Sequence, residues 1–187
     1  MTVLPITTAG DPVLRQVSRQ VSLDELRSPE LQTFIDDLIE TMRAAGGAGL
    51  AANQVSETLA VAVIEVDDNP RYPYKPPIPL TVIVNPVIEP VGTDTILINE
   101  GCLSVPGFRG ELPRFVAVRV DYLDRDGNPR SEVKRGLTAG TFQHEVDHLN
   151  GIMFMDRVID PHSFMTWDSF ERFHKEAFVQ RVRDLPS

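Results

Sequence analysis

The chain has 187 residues, of which 42% are hydrophobic and 24% charged, with a formal net charge of −9, enough for one domain with a substantial core. The acidic balance argues against a basic nucleic-acid-binding face, so DNA is not an expected partner. A single cysteine, Cys102, excludes an internal disulfide framework and fits a reducing compartment. The N-terminus has no basic, then apolar leader, and no apolar run approaches the roughly 20 residues that span a bilayer. A cytoplasmic protein without a membrane segment is expected.

Gly10-Asp11-Pro12 marks an early turn, and the arm through Val13-Leu14-Arg15 is expected to pack on the body. Ser28-Pro29 then reads as a helix start, with serine as the N-cap and proline in the first turn. Leu31, Phe34, Ile35, Leu38, Ile39 and Met42 follow at helical spacing until Gly46 and Gly47 end the run. In the next stretch, Gly47-Ala48-Gly49-Leu50-Ala51-Ala52-Asn53-Gln54, small residues let the backbone approach something closely. By itself it reads as a packed connection; it lacks the Lys-Ser/Thr of a phosphate loop.

Leu59 to Val66 reads as a buried strand. Prolines at 70, 73, 76, 77 and 79 make 67–79 a long surface loop. Leu80 to Val84 and Thr95 to Ile98 are further strand candidates. Glu100-Gly101-Cys102-Leu103-Ser104 places the only thiol directly after a strand. Val116, Val118, Val120 and Tyr122 alternate with Ala117, Arg119 and Asp121 as a half-exposed strand, and Asp126-Gly127 supplies a hairpin turn before Ser131 to Lys134 return. A helix from about Thr138 to Asn150 stops at Gly151. Ile152 to Val158 reads as a short strand, and Thr166 to Arg183 as a helix burying Phe170, Phe173, Ala177 and Phe178. Strands in antiparallel-looking order with a few helices make the fold class α+β.

The 138–150 helix carries His144-Glu145-Val146-Asp147-His148. Residues i and i+4 share a helix face, so both imidazoles can reach one metal ion. Glu145 then stands beside the ion, where a carboxylate can take a proton from water activated there. A surface helix with two solvated histidines is the competing reading. Phe142, Val146, Leu149 and Ile152 make the helix largely apolar, however, and buried histidines need a polar reason to be there. A catalytic site needs a third protein ligand and one open position. His162 and His174 do not match the spacing of the longer zinc-peptidase pattern, which leaves Glu171 in the tail or Cys102. A lone cysteine is ordinarily a small buried hydrophobe; beside a two-histidine helix, a thiolate ligand is favoured.

Gly47 to Gln54, Glu100 to Ser104 and Gln143 to Leu149 together resemble the three signature motifs of the peptide deformylase family, in order and spacing. The likeness extends to Gly10–Arg15 and to Val105-Pro106-Gly107-Phe108-Arg109, covering roughly residues 5 to 160. The resemblance implies an α+β fold with antiparallel sheets around a central metal-bearing helix. It implies hydrolysis of the formyl group from the N-terminal methionine of nascent peptides, close to the ribosome exit. It implies Cys102, His144 and His148 as ligands of one divalent ion, usually Fe(2+), with Zn(2+), Ni(2+) or Co(2+) able to occupy the site. Glu145 becomes general base and acid; the Gln54 amide and the Leu103 backbone N–H become oxyanion donors. Gly47, Ala48, Gly49, Arg109 and Gly140 are the expected substrate contacts, the peptide lying as an added strand.

Residues 1–187 then form a single deformylase-like domain, with 67–79 a proline-rich insertion expected to act as a lid and 161–187 a variable helical tail. Asn53 stands where the family commonly has proline, which should loosen that turn. Ala48 and Gly140 are smaller than the family's usual residues, so the side-chain pocket should be roomier or filled differently. A peptidase acting through the same two histidines, and a non-catalytic binding protein of the same fold, are the competing functions.

Overall fold

The computed structural model describes residues 2–67 and 69–185; position 68 of the proline-rich stretch and positions 186–187 of the expected tail lie outside them, as does residue 1. The N-terminal arm does pack on the body. Leu14 is fully buried with Val105, Leu112 and Phe154, and the Arg15 carbonyl lies where a side chain at Gly151 would begin, 2.5 Å from a Cβ built there. Gly151 also has φ +72°, so both its backbone angle and its contact require glycine.

A short helix α1 (Leu23–Leu26) precedes α2 (Pro29–Ala44). The Ser28 hydroxyl accepts the Leu31 N–H at 3.2 Å and caps α2 as the sequence predicts. Its stripe of Leu31, Ile35, Leu38, Ile39 and Met42 is buried, each fully buried side chain of this size contributing roughly 1.5–3 kcal/mol. β1 (Gly49–Ala51), a 3-10 turn over Ala52–Val55, β2 (Val61–Val66), β3 (Ile78–Pro90), β4 (Thr95–Cys102), β5 (Val105–Phe115), β6 (Ala117–Leu123) and β7 (Pro129–Arg135) follow. Then come α3 (Gly136–Leu149), β8 (Met165–Thr166), α4 (Trp167–Ser169) and α5 (Lys175–Val182).

The strands form two antiparallel sheets, ordered β1-β2-β3-β6-β7 and β4-β5-β8. β2 lacks alternation because both its faces are covered. Val61 and Val63 pack with α2, together with Val82 and Val84 of β3, whereas Ala62, Ile64 and Val66 pack with Phe142, Val146 and Leu149 of α3. The larger sheet is thus held between α2 and α3, and α3 is driven inward by its own apolar residues. The β4–β5 hairpin pairs Thr95 with Phe115 at its base and Cys102 with Val105 at its tip, with a register shift between Gly101 and Cys102. Such a shift re-aims the side chain beyond it, and it brings the thiol over α3.

Two expectations fail. Ile152 to Val158 contains no strand: Phe154–Arg157 is a 3-10 turn, closed by the Asp156 carboxylate accepting the Met153 N–H at 2.8 Å, with Met153 and Phe154 buried side by side. The tail is helical, but Phe173 is 66% exposed and Ala177 is exposed too. A π-helical turn over Phe170–His174 changes the repeat, since its i→i+5 bonds widen the turn; Phe170 and Phe178 face inward as expected, and Val182 joins them. The proline-rich stretch is less solvated than its composition suggests, because Tyr72 is buried in the α3 core. Among the described residues no helix is long and apolar enough to cross a membrane.

Candidate metal centre

α3 presents His144 and His148 one turn apart, their rings 4.8 Å between centroids and 76° to each other. Their Nε2 atoms are 3.2 Å apart, and Cys102 Sγ lies 3.2 Å from His148 Nε2. The three donor atoms all lie within 4.8 Å of one another. Bonds of about 2.0–2.3 Å to one tetrahedral ion separate imidazole and thiolate donors by roughly 3.3–3.6 Å, so this donor set fits a shared divalent metal. Burial opposes ionisation of the thiol, but the His148 and His144 imidazoles outweigh it and hold Cys102 at about 5, the form that ligates metals.

His144 is oriented from behind. Its Nδ1 lies 2.8 Å from Glu100 Oε2, which turns Nε2 toward the other donors; although burial opposes the charge, Cys102 and Glu100 raise the His144 pKa well above its ordinary value. Glu100 is held by Arg114, whose Nε and Nη2 donate to its two oxygens at 2.7 and 2.9 Å. Although burial raises the cost of the Glu100 charge, Arg114 and His144 overcome it and keep the carboxyl well below the usual carboxylate range. The third nitrogen of Arg114 donates to Asp147 Oδ2 at 2.5 Å, and Arg157 closes on the same carboxylate. Asp147 is on α3 and Glu100 is on β4, so one buried guanidinium, 3% exposed, ties the hairpin to the metal helix.

Sequence reasoning assigned no role to Arg114. The available signal was its inward position on β5, next but one after the buried Leu112: a charged residue on the core side of a strand needs partners of opposite charge.

Glu145 is 3% exposed, and its Oε2 has no hydrogen-bond partner among the described residues. Burial raises its pKa. The carboxylate rests on the backbone of Gly49, where a Cβ would meet Oε1 at 2.3 Å. This contact gives a physical reason for the small residues of the 47–54 stretch. Gln54, in the turn after β1, accepts the Ala51 N–H at 2.9 Å through Oε1. Its Nε2 donates to Ser104 Oγ at 3.0 Å and approaches Cys102 Sγ at 3.4 Å. The amide is therefore oriented with its donor toward the centre.

Asn53 tightens the turn that it was expected to loosen: fully buried, it donates from Nδ2 to the His148 carbonyl at 2.5 Å and pins the turn to α3.

Gly47, Ala48, Gly49, Gln54, Leu103, Arg109 and Gly140 all line one cavity with Cys102, His144 and Glu145. Leu103 packs beside Gly47, where a Cβ would be 2.9 Å from its Cδ1. The space left by Gly140 is filled, since a Cβ there would be 2.7 Å from Ile98 Cδ1. Arg109 is 1% exposed and built into the wall. It donates to Asn99 Oδ1 and to the Asn99 carbonyl at 2.5 and 2.7 Å, and its guanidinium carbon lies 4.0 and 4.3 Å from the ring centres of Trp167 and Phe170. Glu171 takes no part: it is exposed and paired with Lys175, and His162 and His174 are also exposed.

The family model described as polypeptide deformylase matches residues 3–163. Peptide deformylase 2 of Nostoc sp. is 42% identical over 155 residues, 83% of this chain and 86% of that one. The peptide deformylase of Brucella suis is 36% identical over 184 residues, 97% of this chain and 99% of that one. Among solved structures, the Met-Ala-Ser-bound class I type b peptide deformylase from Acinetobacter baumannii is similar with a TM-score of 0.81 and 40% identity, covering 84% of this chain and 99% of that one.

Proposed function

Because the chain belongs to the polypeptide deformylase family, we propose that the thiol–imidazole centre is where formate leaves the N-terminal methionine of a substrate. Removal of the N-formyl group from nascent polypeptides is the function of this chain, and it is a hydrolase. Cys102, His144 and His148 would hold one divalent ion, which we read as ferrous iron; zinc, nickel and cobalt suit the same donors. When bound, such an ion supplies Lewis acidity to the formyl oxygen and to water.

The chain's own residues do the rest. The Gln54 Nε2–H and the Leu103 backbone N–H are the donors for the oxyanion that develops on the formyl group. Glu145 takes the proton of the attacking water and delivers it to the departing amine. β1 and β4 are edge strands of their sheets, and residues of both line the cavity, so a peptide can lie between them as an added strand, with Gly47, Ala48 and Gly49 on one side. Arg109 supports the wall from behind, and Gly140 yields its place to Ile98. We read residues 1–187 as one cytoplasmic domain with an inserted 67–79 segment, meeting formyl-methionine chains near the ribosome exit.

The observation that carries this reading is the convergence of the three donor atoms, with the Glu145 carboxylate in the same cavity. The test is formate release from formyl-Met-Ala-Ser by the chain purified without oxygen and loaded with Fe(2+). Turnover should disappear with a chelator and return on adding the metal back. A fully metallated chain that released free amino acids and no formate would establish the peptidase reading instead; one that released neither would favour the binding protein.

Gly49→Ala tests the placement of the base. The new methyl must push the Glu145 carboxylate off the β1 backbone. A misplacement of about 1 Å costs on the order of 100-fold in rate, so kcat for formyl-Met-Ala-Ser should fall by about that factor while the metal content stays the same. A kcat within about threefold of wild type would show that the close approach has no part in the reaction.

A further inference from the structure

Lys75 has no part in the roles above, yet it lines the same cavity as Glu145 and Cys102. It belongs to the proline-rich connection between β2 and β3, and its Nζ donates to Thr141 Oγ1 at 2.9 Å. The Tyr72 ring centre lies 5.0 Å from the same nitrogen. An ammonium has three N–H donors, and Thr141 takes the one hydrogen bond that Nζ makes among the described residues. Burial lowers the Lys75 pKa to about 8, with Glu100 and Glu145 opposing the shift and Arg109 assisting it, so the amine is largely cationic at neutral pH.

Tyr74, Ile98, Leu137 and Phe178 line the cavity with Lys75, and Asn99, Glu100 and Arg109 add polar groups to the same wall. The cavity measures about 50 Å³, several times the roughly 10–15 Å³ that a single water requires. Thr141 stands three and four residues before His144 and Glu145 on α3, about 5–6 Å away on the same helix face. A substrate whose formyl group lay beside His144 and Glu145 would bring the end of an extended first side chain toward Thr141 and Lys75, which line the same cavity. Apolar groups beside the Lys75 ammonium, which has N–H donors left over after Thr141, suit a side chain that is apolar along its length and ends in an acceptor. A carboxylate would meet the negative charges of Glu100 and Glu145 in the same cavity, and a neutral acceptor avoids them.

We propose that Lys75 is a specificity-determining residue, whose ammonium donates to the sulfoxide oxygen of a formyl-peptide beginning with methionine sulfoxide and disfavours the isosteric hydrocarbon norleucine. The proposal rests on the deformylase reading of the site. It extends the substrate class from formyl-methionine chains to chains whose first residue has been oxidised.

The test compares kcat/KM for formyl-Met-sulfoxide-Ala-Ser and formyl-norleucine-Ala-Ser on the metallated full chain, for wild type, Lys75→Met and Lys75→Arg. Calorimetric binding of the two deformylated tripeptides gives a readout that needs no turnover. Wild type should favour the sulfoxide. Lys75→Met should lower the sulfoxide-to-norleucine ratio about tenfold or more, the size of a charge-assisted hydrogen bond, and Lys75→Arg should restore most of it. An unchanged ratio in Lys75→Met, or a wild-type preference for norleucine in both measurements, would overturn the proposal. If Lys75→Met does not fold, the wild-type preference and the Lys75→Arg ratio decide the matter. Absence of formate from every peptide would instead count against the deformylase reading, and the tripeptide binding ratio would still decide the role of Lys75.

Discussion

Replacing Cys102 with serine is expected to weaken metal binding by more than about 100-fold and to abolish formate release at stoichiometric metal. Altering a residue that merely orients a ligand already costs about 10–100-fold in affinity, and this change removes a ligand. The substitution is nearly isosteric, so the hairpin tip should keep its shape; what disappears is the ionised donor. The thiol is held at about 5 by the two imidazoles, against its burial, so it is a thiolate at neutral pH, whereas a serine hydroxyl remains protonated. His148 Nε2, now 3.2 Å from Sγ, would face a neutral oxygen. Metal analysis after gel filtration, run beside the formyl-Met-Ala-Ser assay, measures both effects. A serine variant that keeps one metal per chain would remove Cys102 from the ligand set and reopen the peptidase reading, in which the two histidines need a different third partner.

His144 and His148 were legible because one helical turn separates them; Cys102 was favoured only in their company, and the role of Gln54 came from the family resemblance, since its run of small residues reads by itself as a packed connection. Strand β2 and helix α2 were legible for a similar reason, since a continuous apolar run and a 3.6-residue stripe each state how many faces are covered. What escaped depends on pairings between distant segments. The partners of Arg114 follow from the register of the β4–β5 hairpin and from the crossing of α3, and neither register nor crossing is written in residue type. Lys75 lies in a segment whose prolines read as solvated loop, and only the burial of Tyr72 brings its amine to the cavity. Asn53 looked like the loss of a stiff proline, but its amide reaches the end of α3, a contact between segments far apart in the chain. In the tail Phe170 and Phe178 were legible as buried, whereas Phe173 and Ala177 are exposed, because the π turn over Phe170–His174 departs from the regular 3.6-residue repeat.

Glu145→Gln is expected to lower kcat for formyl-Met-Ala-Ser by about 10²–10⁴-fold, the usual worth of a positioned general acid–base, with the metal content unchanged. Glutamine keeps the volume and fits the contact with Gly49, but it cannot accept the proton of the attacking water or pass it to the amine. Burial disfavours the ionised carboxylate and raises its pKa, so a neutral amide is no harder to accommodate, and Tm should not fall. Loss of rate without loss of metal or stability separates a chemical role from a structural one. The raised pKa also matters for the wild type. A base must be deprotonated to act, so the rate should decline as pH falls through the Glu145 pKa, and this acidic limb should vanish from the residual activity of Glu145→Gln. The measurement is a pH profile of kcat/KM for both proteins, with metal content determined at each pH. A variant that retained a kcat within about threefold of wild type would show that the water gives its proton to another group. Among the described residues lining the cavity, Glu100 already serves as acceptor for Arg114 and His144, which leaves Glu145, with its unpartnered Oε2, as the carboxylate free to take it.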